Sequence, residues 1–71
     1  MEPKEIFELI VQADEAIKYA TAEKAVARSH QARDLLVRAR DEAQAIGNQA
    51  LVEQAEQRLS DLSKLTDETT P

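Results

Sequence analysis

His30 is the only histidine in the chain, and acid–base or nucleophilic work by such a residue requires a partner group beside it in a pocket. Its immediate neighbours are Ser29 and Gln31, and at 100° per residue it falls on the polar side of its segment, so an exposed structural role is expected. Asp and Glu together number fourteen, yet the carboxylate-bridged metal sites of helical proteins set a Glu three residues before a His, and no Glu-x-x-His occurs. A single glycine excludes a glycine-rich phosphate loop. There is no cysteine, so thiolate catalysis, thiolate-bound metal and disulfides are excluded, and a reducing compartment is the natural setting. The expectation is no catalytic residue, no metal ligand and no cofactor, hence not an enzyme.

Residues suited to holding another molecule are better represented. Arg33 and Arg40 stand seven apart, between two apolar lobes of the middle segment, where a solvated charge is not normally placed. Their guanidinium forks suit docking to a carboxylate-bearing partner. The competing reading has their stems covering apolar surface while the heads pair with acids of the flanking helices. Phe7 and Val11 form an i, i+4 apolar pair turned away from the main stripe of the first helix, beside Asp14 and Lys18. That pair is either the edge of a wide core or an exposed contact. As a contact it would make a homodimer through the first helix the simplest outcome, because a small domain gains stability by self-association.

The elements that must carry these residues read as helices throughout. Pro3 and Pro71 lie near the ends and Gly47 is the only glycine, while Ala, Glu, Gln, Leu and Arg dominate and no period-2 strand pattern is found. The predicted fold is all-α, an antiparallel three-helix bundle with helices over about 3–20, 22–46 and 49–65. Ile6, Leu9, Ile10, Ala13, Ala16, Ile17 and Ala20 form one stripe on the first helix, which Pro3 and the acids Glu2 and Glu5 suit at its start. Thr21 reads as the N-cap of the second. There Ala25, Ala32, Leu35, Leu36, Ala39, Ala43 and Ile46 fill one lobe and Val26 and Val37 a second, which predicts covering from two directions. Gly47 fits a left-handed C′ position and Asn48 the next N-cap. Leu51, Ala55, Leu59, Leu62 and Leu65 face one way on the third helix. Residues 1–65 should form a single domain, with 66–71 a frayed tail.

The totals narrow the partners. The chain has 71 residues, 42% hydrophobic and 32% charged, with a net charge of −5. Its core relies on alanine and aliphatics, with Phe7 and Tyr19 the only aromatics, so net stability of only about 3–5 kcal/mol is expected. Acidity disfavours nucleic-acid binding, which draws on Lys and Arg. No apolar run approaches the roughly 20 residues of a spanning helix, and Met-Glu-Pro-Lys-Glu lacks the layout of a signal peptide, so no membrane role and a cytoplasmic location are expected. Residues 1–21 hold two lysines against five acids, residues 22–46 five basic residues against four acids, and residues 47–71 two against five. A near-neutral middle helix between two acidic ones favours an antiparallel sandwich. Asp14–Lys18 and Asp34–Arg38 are i, i+4 pairs in the favourable order.

The segment from Ala39 onward, ARDEAQAIGNQALVEQAEQRLSDL, resembles the junction between adjacent helices in bacterial tetratricopeptide-type arrays, where an Ala-x3-Ala helix ends at Ile-Gly-Asn and an Ala-x3-Leu helix follows. The consensus tryptophan, early glycine and tyrosine are not at their spacing, and no second copy of the period occurs. The length, the Ala-Ile-Lys-Tyr end of helix 1 and the Leu59, Leu62, Leu65 series are similar to microtubule-interacting-and-trafficking domains. That resemblance implies a three-helix bundle receiving a partner helix in a surface groove, and no binding residues are carried over from it.

The function expected from these readings is a non-enzymatic protein–protein interaction module that binds a partner helix or a second copy of itself. A structural spacer or dimerisation segment of a larger assembly is one alternative. A small acidic regulator mimicking nucleic acid is another.

Overall fold

The first helix begins where its sequence permits. Pro3 lacks a backbone donor and sits at the first helical position, and the backbone N–H of Glu2 donates to Glu5 Oε1 at 3.1 Å. In the computed structural model, which describes the backbone of residues 1–68 and the side chains of residues 1–64, α1 spans Pro3–Lys18, α2 Ala25–Ala45 and α3 Gln49–Glu68. The fold is all-α: three helices form an antiparallel bundle, with no strand among the described residues. The third helix continues past Leu65 to Glu68, while the Leu65 side chain and residues 69–71 of the expected tail lie outside the described residues.

The turn between α2 and α3 follows from two residues. Gly47 has φ +69°, its N–H donates to the Gln44 carbonyl at 3.1 Å, and the Asn48 N–H donates to the Ala43 carbonyl at 2.9 Å. This paired pattern closes a helix through a left-handed residue. Asn48 Oδ1 then accepts the Leu51 N–H at 3.2 Å, capping α3.

The α1–α2 junction differs from expectation. Thr21 has extended backbone but its side chain makes no capping bond; a single 3-10 turn, Ala22–Lys24, follows it, and α2 starts at Ala25. Lys24 stands where a capping box needs Glu or Gln, so nothing returns the favour to Thr21, and the turn closes through Lys24 N–H to the Thr21 carbonyl at 3.0 Å. No residue of α2 before Ala32 is buried.

The interior contains Ile6, Leu9, Ile10, Ala13 and Ala16 from α1, Ala32, Leu36, Ala39 and Ala43 from α2, and Leu51, Val52, Ala55 and Leu62 from α3. Ile17, Leu35 and Leu59 pack partly buried against it. Among the described residues only Ile6, Ile10 and Leu36 are large side chains fully shut off from solvent. With alanine at three of its four buried positions, α2 lets both neighbours approach closely, but each alanine removes little area from water. Both α1 and α3 pack along α2 and touch each other only briefly, giving a body of 39 × 20 × 13 Å.

Both apolar lobes of α2 depart from expectation. Ala25 and Ile46, at the two ends of the first lobe, are exposed, Ile46 by 41%, and in the second lobe Val26 is 73% exposed. Val37 is half-buried with Arg33, Asp34, Arg38 and Asp41 around it, on the side away from the core. The reason is that α1 and α3 both pack against the face of Ala32, Leu36, Ala39 and Ala43, and among the described residues no further element lies over Val26.

No heavy atom lies within 4 Å of where a Cβ on Gly47 would stand, so substitution there meets no clash and is opposed by backbone conformation alone. Gly47→Ala should cost about 1 kcal/mol in urea unfolding, and Gly47→Asn measurably less, because asparagine tolerates the left-handed region better. Equal losses would show that something other than the left-handed backbone governs this turn.

Candidate functional site

Where α1 and α3 meet, the link is ionic. Arg58 Nε donates to both Asp14 Oδ1 and Oδ2 at 3.0 Å, while its Nη1 donates to the Gln54 carbonyl at 3.4 Å. It is the one ion pair between different helices among the described residues apart from the Met1 amino group 3.8 Å from Glu42 Oε2. Asp14 thus turns to α3 instead of pairing with Lys18, whose ammonium lies 5.5 Å from the centroid of the Tyr19 ring. Helical rotation places Phe7, Val11, Asp14 and Lys18 on one row of α1, so the row that carries Asp14 to α3 also carries the apolar pair.

Phe7 is 48% exposed and outside the core cluster, and Val11 is half-buried. Two turns of α1 above and below them are decorated by charged residues that make no hydrogen bond or ion pair among the described residues: Lys4, Glu8 and Glu15. An exposed phenylalanine beside a valine on a well-formed helix offers apolar area that could be buried against another molecule, and it has no reacting group.

The arginine pair is placed otherwise. Arg40 is half-buried and donates from Nε and Nη2 to Asp41 Oδ1, both at 3.3 Å. Arg33 is exposed and has no hydrogen bond or ion pair among the described residues. Neither head reaches an acid of α1 or α3, which corrects the pairing expected for them; the residue that does bridge helices is Arg58. Arg33 lines a shallow, open depression on α2 with Asp34, Val37, Arg38, Asp41 and Glu42, and Arg40, Phe7 and Val11 do not line it. The four residues singled out by sequence therefore lie on two helices and form no single site. Asp34 and Arg38 make no ion pair with each other.

The Arg58–Asp14 link between α1 and α3 is not apparent from sequence pattern. Asp14–Lys18 is a good local pair, and local spacing alone favours it. The competing partner is visible only once α1 and α3 are known to run the same way, which brings Asp14 and Arg58 to similar heights. His30 is exposed on α2. Among the described residues no group of three or more His, Asp or Glu gathers to hold a metal ion, and no helix is long and apolar enough to cross a membrane.

With Arg58 33% and Asp14 49% exposed, their pair should be weak. A double-mutant cycle with Asp14→Ala and Arg58→Ala should yield a coupling of about 0–1 kcal/mol in thermal or urea unfolding, shrinking in about 1 M salt. A larger, salt-insensitive coupling would mean that this pair, not apolar packing on α2, sets the α1–α3 arrangement.

Comparison of the chain with protein-family models, with curated proteins and with solved structures finds no match.

Proposed function

We propose that the chain is a non-enzymatic interaction module whose contact surface is the flank of α1 bearing Phe7 and Val11, next to α3. The observation that carries this reading is Phe7: one of two aromatics in the chain, placed on an ordered helix, yet 48% exposed and left out of a core that is short of large side chains. A domain with so little apolar volume gains stability when that residue is covered, so covering and binding are one event. The resemblance to microtubule-interacting-and-trafficking domains, carried by the length, the Ala-Ile-Lys-Tyr end of helix 1 and the Leu59, Leu62, Leu65 series, agrees with a partner helix as the occupant, and the cysteine-free sequence agrees with a reducing, cytoplasmic setting.

The test is affinity capture from the native cell, with wild type, Phe7→Asp and Arg33→Glu/Arg40→Glu as parallel baits and intact mass of each complex as the readout. Circular dichroism should show all three equally helical. The expected result is a complex on the wild type and the arginine variant that persists in high salt and is lost with Phe7→Asp. A complex insensitive to Phe7→Asp, or one dissolved by salt, would overturn the apolar reading; the salt-sensitive case would instead support an acidic surface that imitates nucleic acid.

A further inference from the structure

The row on α1 that carries Phe7 and Val11 has a symmetry of its own. Lys4, Phe7, Val11 and Asp14 are spaced three, four and three residues apart, so the set is symmetric about residue 9 in position and opposite in charge at its ends. On a helix rising about 1.5 Å per residue, Lys4 and Asp14 stand about 7.5 Å to either side of that midpoint. A two-fold axis there would lay α1 of one copy antiparallel on α1 of another. It would seat Phe7 on the second copy's Val11 and bring Lys4 to the second copy's Asp14, each contact occurring twice. A parallel arrangement would oppose lysine to lysine and aspartate to aspartate.

We propose that the occupant of this face is a second copy of the chain, paired antiparallel through α1 with Phe7 on Val11 and Lys4 against Asp14. The inference rests on the interaction-module reading given above and names its partner. Lys4 is exposed with no hydrogen bond or ion pair among the described residues, and Glu15, one position past Asp14, is likewise free to widen the acidic end. Asp14 keeps capacity for the incoming ammonium. Its two oxygens accept only from Arg58 Nε, and a carboxylate offers about four acceptor positions. The bridge would then run from Arg58 through Asp14 to the second copy's Lys4, drawing α3 into the contact. Two apolar side chains per copy fall well short of the about 800 Å² per partner of a standard stable interface, so the pairing is weak and concentration-dependent.

Sedimentation equilibrium of the full chain over a wide concentration series tests this. The wild type should rise from the monomer mass of 7.9 kDa toward twice that value, and Phe7→Asp should stay monomeric throughout. Lys4→Glu should weaken the dimer about tenfold, since each charge pair is made twice. Adding Asp14→Lys and Arg58→Glu to Lys4→Glu reverses every partner in the bridge and should bring the dissociation constant back to within about threefold of wild type. A wild type that remains monomeric at every concentration overturns the second-copy inference while leaving Phe7-dependent capture of another protein intact. A dimer indifferent to Phe7→Asp lies on another face, and a dimer lost with Phe7→Asp but unmoved by Lys4→Glu is not paired in this register; either result rejects the proposal.

Discussion

The scarcity of apolar volume on α2 governs the rest of the molecule. Its buried face is Ala32, Leu36, Ala39 and Ala43, so α1 and α3 can both lie close along it, and Leu36 is the only large side chain that α2 contributes to the fully shut interior. Close approach on α2 does not extend to contact between α1 and α3, which meet only briefly. Filling that seam would take large side chains from all three helices, and the chain has few. The seam is linked instead by Arg58 and Asp14, groups that can span a gap because one of them is long. The row of α1 that reaches across with Asp14 therefore leaves Phe7 and Val11 without a covering helix.

This has a bearing on function. Phe7 leaves about half of its surface in water, area that the proposed contact would remove. On α1 that residue is flanked by Val11 on the same row and by charges, Lys4, Glu8 and Glu15, that make no hydrogen bond or ion pair among the described residues, a layout suited to a contact with apolar centre and polar rim. The depression on α2 differs in kind: it is open and lined by charges of both signs around one valine, which is how a solvated outer face of a helix is built.

Local rules were readable from the sequence, and tertiary ones only in part. Gly47 and Asn48 announced both the end of α2 and the cap of α3, because a left-handed residue followed by an N-cap is decided within a few residues of backbone. The stripe of α1 was equally plain, since seven positions at helical spacing leave little freedom in which face is buried. The α2 helix starts at Ala25 and not directly after Thr21, because Thr21 carries a capping side chain but Lys24 cannot complete the box, a conflict that resolves into a 3-10 turn. The outer lobe of Val26 and Val37 looked buried on a wheel, which records that a side is apolar and not whether a neighbour exists to cover it. Asp14 illustrates the same limit, its local partner Lys18 yielding to Arg58 from another helix. As for the candidate site, Phe7 and Val11 are identifiable from spacing as a pair off the main stripe, whereas the engagement of Asp14 by Arg58 depends on how α3 is placed.

The most direct measurement is the stability of Leu36→Ala beside that of Phe7→Ala, both by urea unfolding at concentrations low enough to keep the chain monomeric. If the interior is organised on α2 with the aromatic outside it, Leu36→Ala should lose about 2–5 kcal/mol, enough to leave little folded protein in a domain holding about 3–5 kcal/mol, while Phe7→Ala should lose less than half as much. Equal losses, or a greater one for Phe7→Ala, would place the phenylalanine ring within the shared interior and contradict the account.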